Sequence, residues 1–413
     1  MGIQDNSVYK GVTKFFKSLL CERVRLVVCS VIVLLLIVID CIGIANGWMV
    51  LDVHPVLAFF LLVGSLMLLA MVEALHYSCV AMERLDMSHM KKSHPTATAC
   101  QELVNSADKV KRFLNGRQFF VIFVVFLIAQ LTNFPGFPKD FGGFSEGFNY
   151  FLSKSGIPGV ALVLTVGQLI SQLYVEEYML LFMDKVPFCY SMIQLCFAVE
   201  WIGTTHFAWA LYEGSSRLFC MKVRRKAKDM DEVMSPTQEA RGPDFDLGIP
   251  EEENMSLWTA FRYLWSTFVC VASIVILCYG IANEHYILHA PAAVAFIIAA
   301  CGLILLFYLE GLMIAIAQTQ YWDREAFKEA YPRAYAVHEI VTQPDNLKRF
   351  IIGRQFMTVL TGFMLAEVFT FAYWENDEFE PTAFWIIVKS GLVGVLIVLR
   401  YVFVCVLVCM CLC

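Results

Sequence analysis

Apolar and polar positions along this chain fall into long blocks, without the short alternation of a soluble fold. Apolar runs lie near residues 27–46, 54–76, 118–134, 156–175, 187–212, 260–282, 290–317, 354–373 and 384–412. A helix crossing a bilayer needs about 20 such residues. The pattern therefore predicts an all-α integral membrane protein with about nine transmembrane helices. The polar blocks divide it further: an N-terminal segment (1–26) expected in the cytoplasm, a first membrane unit (27–212), a linker (213–257) and a second unit (258–413). The linker has a basic start (Lys222, Arg224, Arg225, Lys226, Lys228) and an acidic end (Glu251, Glu252, Glu253).

The two units share a pattern. Gly-Arg-Gln-Phe occurs at Gly116–Phe119 and again at Gly353–Phe356, 237 residues later. Each copy opens an apolar run and follows an Asp-x-x-Lys-Arg-Phe segment, Asp108–Phe113 and Asp345–Phe350. The same offset aligns Glu73 with Glu310, Asp86 with Asp323, Pro95 with Pro332 and Asn46 with Asn283. Over residues 73–134 and 310–371, 20 of 62 positions are identical without a gap. Duplicated membrane units with equivalent polar motifs are a recurrent plan of secondary transporters. Five helices per unit would turn the second copy upside down, giving inverted repeats.

Charge does not support that inversion. The connection at 79–115 has six Lys/Arg and the one at 320–352 has five, yet inversion puts them on opposite sides. The sequon Asn254-Met255-Ser256 favours an external linker. The second unit also stops short. Lys389-Ser390-Gly391 matches Lys154-Ser155-Gly156, but only 22 residues follow, so a tenth helix is missing. A truncated sequence or a splice variant is the first explanation, genuine loss the second.

Composition narrows the function. Hydrophobic residues make up 59% of the chain and charged residues 16%, against about 25% charged in soluble proteins; mean hydropathy is +0.64. A net charge of -6 spread over the connections implies no nucleic-acid partner. The 15 cysteines sit mostly in apolar stretches, as small buried hydrophobes, and show no zinc-site spacing. No catalytic triad, metal signature or phosphate loop is present. An enzyme is not expected, nor a cofactor.

Four groups of residues could carry chemistry. In Gly116-Arg117-Gln118 and Gly353-Arg354-Gln355 the glycine permits close approach, the arginine pairs or reaches water, and the glutamine offers both an acceptor and donors. Such a group suits a neutral polyhydroxy solute; the bland alternative is a helix-entry motif. Glu73 and Glu310 end apolar runs, where a carboxylate is costly unless it has a partner or faces a cavity. Each reads as a cation ligand, a partner for Arg117 or Arg354, or an interfacial carboxylate. Gln168 and Gln172, with Ser171, form a polar stripe that lines a pathway or bonds between helices. Glu200, Thr204 and Thr205 form a weaker stripe beside His206.

These residues resemble a known family. The stretch from Glu73 to Phe134, with Ser93-His94-Pro95 and Gly116-Arg117-Gln118-Phe119, is similar to the silicon (silicic acid) transporters of diatoms and related eukaryotes. The family pattern is Glu-Gly-x-Gln ending one helix and Gly-Arg-Gln starting the next, once per repeat. The second copy, Leu309-Glu310-Gly311 through Gly353-Arg354-Gln355-Phe356, looks the same. Gly167-Gln168-Leu169 followed by Tyr178-Met179-Leu180 resembles the family's fourth helix, where Cys-Met-Leu-Asp follows. Three departures stand out: Glu73-Ala74-Leu75-His76 and Glu310-Gly311-Leu312-Met313 lack the glutamine, and Leu181 replaces the aspartate. Gln318 and Gln320 lie one to two turns beyond the second motif.

The resemblance implies Na+-coupled uptake of orthosilicic acid, with no resident metal specified. Gln118, Gln355, Gly116, Gly353 and Gln168 are the expected solute residues; Glu73, Glu310, Arg117 and Arg354 the expected ion or gating residues. The expected setting is a multi-pass protein of the plasma membrane or of an intracellular vesicle membrane. The altered motifs keep two alternatives in view. One is a non-transporting sensor or accessory subunit, as a homo-oligomer or paired with a complete relative. The other is a transporter of another neutral hydroxide such as boric acid.

Overall fold

The computed structural model describes residues 22–82, 90–105, 107–138, 145–149, 156–203, 256–288, 290–319, 328, 331–343, 346–371, 394–396 and 398. In chain order these form α1 (Glu22–Ala45), α2 (Pro55–Met82), α3 (Pro95–Leu103), α4 (Ala107–Thr132) and α5 (Ile157–Leu162). A π-helical segment (Val163–Leu169) then leads into α6 (Ile170–Lys185) and α7 (Cys189–Trp201). The second unit contributes α8 (Leu257–Ala282), α9 (Ala292–Thr319), α10 (Pro332–Val341) and α11 (Asn346–Phe369). Among the described residues, 7 helices are long and apolar enough to cross a membrane. They match the first four expected runs and the sixth to eighth. The ninth, at 384–412, lies almost wholly outside the described residues.

Lipid-facing surfaces are plain on α1 and α8. Val27, Val31, Leu34 and Val38 on one, and Phe261, Leu264, Phe268 and Val275 on the other, are exposed large apolar side chains. The core lies between α2, α4 and α11, where Leu69, Phe126, Ile128, Leu131, Phe363 and Phe369 are fully buried. A second core forms where α3, α6 and α7 close over the ends of α2 and α4. It includes Cys79, Cys100, Cys189 and Cys196, buried and unbridged, as expected for cysteine used as an apolar filler. Burial pushes the Cys100 thiol on α3 up to about 12, with a smaller contribution from Cys189.

The same offset of 237 recurs in detail. Pro95 and Pro332 begin short helices whose N-cap residues have the same backbone geometry: His94 at φ -134°, ψ 71° and Tyr331 at φ -134°, ψ 68°. Asn46 Nδ2 donates to Ile42 O at 2.8 Å and Asn283 Nδ2 to Tyr279 O at 2.8 Å. Gly43 on α1 lies flat against Phe134, and Gly280 on α8 against Phe371.

The direction of the helices differs from the inverted arrangement. Val125 on α4 lies 3.4 Å from where a Cβ on Gly362 of α11 would sit. Further along both helices, Asn133 Nδ2 donates to Glu367 Oε1 at 3.3 Å. Were α4 and α11 antiparallel through Val125 and Gly362, the latter pair would be roughly 19 Å apart at 1.5 Å per residue. The two helices therefore run the same way. Since α1 and α8 end against Phe134 and Phe371, they run that way too.

The reason lies in α7. Of the expected fifth span, 187–212, residues 204–212 lie outside the described residues; the described part is a helix of 13 residues, too short to cross, closed by Gly203 at φ 88°. Trp201 then packs on Trp258 with centroids 5.3 Å apart, so α8 begins on the side where α7 ends. The first unit thus makes an even number of crossings: α1, α2, α4 and the α5–π–α6 rod.

Candidate functional site

Each Gly-Arg-Gln lies inside a helix, not at its start, since α4 begins at Ala107 and α11 at Asn346. The helix continues inward past the motif, so the arginine is carried into the protein. Arg117 is 6% exposed and Arg354 8%. A buried guanidinium must have a countercharge, and the preceding long helix supplies it.

In the first unit Arg117 Nη1 donates to Glu73 Oε1 at 3.2 Å, and Nη2 to Gln118 Oε1 at 2.8 Å. In the second, Arg354 Nη1 donates to Glu310 Oε1 at 3.0 Å, and Nη2 to Gln355 Oε1 at 2.6 Å. Each arginine also has a buried Nε–H with no acceptor among the described residues. Each cluster therefore cancels its own charge while keeping an unused donor. The glutamine oxygens are tied to their arginines, which leaves the amide nitrogens for anything that enters. Both guanidiniums act electrostatically on His76, which stands where the family pattern has glutamine.

Glu73 and Glu310 are thus arginine partners. Glu73 has both oxygens engaged, since Gln172 Nε2 donates to Oε2 at 3.2 Å. Gln168 is buried in the π segment, and its Oε1 has no partner among the described residues. The wider π turn follows from close packing: Gly167 meets Leu69, and Gly159 meets Thr132 and Phe363. Such turns concentrate at functional positions. A break in α6 at Tyr178 (φ -122°, ψ 38°) falls on the altered Tyr-Met-Leu-Leu motif.

The glycines part company. Gly116 is pressed against the Cys196 carbonyl of α7, which makes it a helix-packing residue. Among the described residues, nothing lies within 4 Å of where a Cβ on Gly353 would sit. Glu200 is bound by Arg112, whose Nε and Nη2 reach Oε2 at 3.0 and 2.9 Å, so it belongs to a clamp and lines no pathway. Thr204, Thr205, His206 and the Gln318 and Gln320 side chains lie outside the described residues.

Two buried carboxylates escaped the sequence reading. Asp40, near the C-terminal end of α1, is 1% exposed and neither oxygen has a partner among the described residues. Glu367, on α11, is 7% exposed and among the described residues its side chain bonds only the Asn133 amide. Both sit in apolar runs, where an acidic residue is itself the signal. At the repeat offset Glu367 faces Gln130, a substitution the alignment contained.

The fold and these clusters define an all-α, multi-pass membrane protein with two equivalent buried polar centres. A family description, silicon transporter, matches residues 13–223 and 254–400, and the chain belongs to that family. No curated protein and no solved structure matches it.

Proposed function

We propose that the chain is a secondary transporter that takes up orthosilicic acid with Na+, alternating access by movement of one unit against the other. The carrying observation is the pair of self-neutralised Arg–Glu–Gln clusters. A charged cargo would call for an uncompensated countercharge; these centres have none to spare. They offer unused N–H donors on Arg117 and Arg354, amide donors on Gln118 and Gln355, and an unpartnered acceptor on Gln168. A neutral tetrahydroxy solute both donates and accepts, and matches that set. Parallel units serve alternating access as well as inverted ones do.

The test is uptake of labelled silicic acid or its germanium analogue into vesicles containing the purified protein. Uptake should require Na+ and fall sharply in Gln118→Ala and Gln355→Ala. Unchanged uptake in both variants removes the glutamines from the site. Solute binding without uptake by the wild-type protein would favour the sensor or accessory-subunit reading, which the uncovered Gly353 face also supports. Competition by boric acid at equal strength would change the cargo.

Orientation follows from charge. Segments 1–26, 79–115, 213–257 and 320–352 begin or end on the side where α1 starts, and hold five, six, seven and five Lys/Arg. Segments 46–54, 133–156, 283–291 and 370–393, on the other side, hold three in all. The positive-inside rule makes the basic side cytoplasmic and reads the sequon at Asn254 as a chance match. Impermeant thiol labelling of intact cells should mark Val50→Cys and miss Lys92→Cys in a cysteine-free background; the reverse pattern sinks the assignment.

A further inference from the structure

Three of the buried or half-buried carboxylates have an arginine: Glu73, Glu310 and Glu200. Glu367 has none among the described residues, and its sole side-chain partner is a neutral amide. A carboxylate this deep in an apolar span is too costly to stand alone. Such a group either takes up a proton or holds a cation beside it.

The surroundings are rich in oxygen. Asn133 is 4% exposed, points its amide at Glu367, and has an Oδ1 without a partner among the described residues. Thr370, one turn beyond Glu367, is 1% exposed and its Oγ1 has no partner among the described residues either. Gly156, at φ 63°, passes the carboxylate with only backbone, 3.7 Å from Glu367 Oε1 to where a Cβ would be. Asn133 and Thr370 each follow the last turn of a long helix, α4 and α11. The negative ends of two helix dipoles therefore converge here.

We propose that Glu367, Asn133 and Thr370 form the binding site of the coupled Na+, at the junction of the two units. One carboxylate with neutral oxygens suits a hard monovalent cation better than a divalent one, which takes more anionic ligands. No group of three His, Cys, Asp or Glu able to hold a metal ion occurs among the described residues. Because Asn133 belongs to the first unit and Glu367 to the second, ion occupancy holds the units together at this end. The inference rests on the Na+-coupled reading above and assigns its ion a place away from Glu73 and Glu310.

The experiment measures equilibrium binding of radioactive Na+ to purified wild-type protein, without solute, beside Na+-dependent uptake in vesicles. Glu367→Gln should raise the half-saturating Na+ concentration at least about tenfold, and Asn133→Ala and Thr370→Val should raise it less. Wild-type affinity in Glu367→Gln overturns the site; so does the absence of Na+ binding to the wild-type protein. If Glu367→Gln does not fold, Asn133→Ala and Thr370→Val decide, and unchanged Na+ affinity in both overturns it. Na+ binding through Glu367 with no movement of silicic acid leaves the site standing and removes the transport reading. Silicic acid uptake that ignores Na+ does the opposite.

Discussion

The two Arg–Glu–Gln clusters contain the same residues with the same bonds, yet they sit in different company. Around Arg117, α6 supplies Gln172 to Glu73, and α7 lays its Cys196 carbonyl over Gly116 and ends in Glu200, clamped by Arg112. Around Arg354, no described residue covers Gly353, and Arg349, the counterpart of Arg112, is exposed. Glu310 has 16% of its side chain exposed, against 5% for Glu73. Among the described residues the glycine of the first centre is covered and that of the second is not. Identical motifs thus give one centre fixed by its neighbours and one that neighbours leave adjustable.

The largest expected contrast comes from removing each arginine. Arg117→Leu leaves Glu73 charged and buried with one amide donor. Breaking such a pair costs about 3–5 kcal/mol. Arg354→Leu should cost less, because Glu310 already reaches solvent. Unfolding in detergent, by heat or denaturant, measures both. Replacing Glu73 with Leu in the Arg117→Leu background should recover most of the loss, since no lone charge then remains. Equal losses in the two single variants would erase the distinction between sealed and open centres.

That distinction was only partly written in the chain. The long apolar runs made the spans legible, and the repeated Gly-Arg-Gln with Glu73 and Glu310 named both centres, because an intramembrane arginine needs a nearby carboxylate. What hydropathy could not convey was length at the fifth run. Its described part is a helix of 13 residues that turns at Ile202–Gly203, too short to cross by itself. Counting it as a span inverted the second unit on paper; the parallel contact of α4 with α11 reverses that. The basic connections had the right answer, since they fall on one side only in the parallel arrangement. The π turn at Gln168 was hidden because it depends on glycines meeting side chains of other helices. Asn133 and Glu367 are 234 residues apart, and no local pattern joins them.

The smallest effects make the sharpest comparison, because the same change is asked of both copies of one glycine. In Gly116→Ala the new methyl meets the Cys196 carbonyl, which is backbone and cannot swing aside. Overpacking of this kind costs about 1–3 kcal/mol. Because α7 must retreat, the Arg112–Glu200 pair should loosen with it, and uptake should fall alongside stability. In Gly353→Ala the methyl meets nothing within 4 Å, in the interior of a helix. Alanine there should stabilise by about 0.5–1 kcal/mol, the ordinary gain over glycine in a helix. Unfolding midpoints of the two variants, measured together, give the sign of each. A loss in Gly353→Ala comparable to that in Gly116→Ala would mean that a helix covers the second glycine after all. The second centre would then be sealed as tightly as the first.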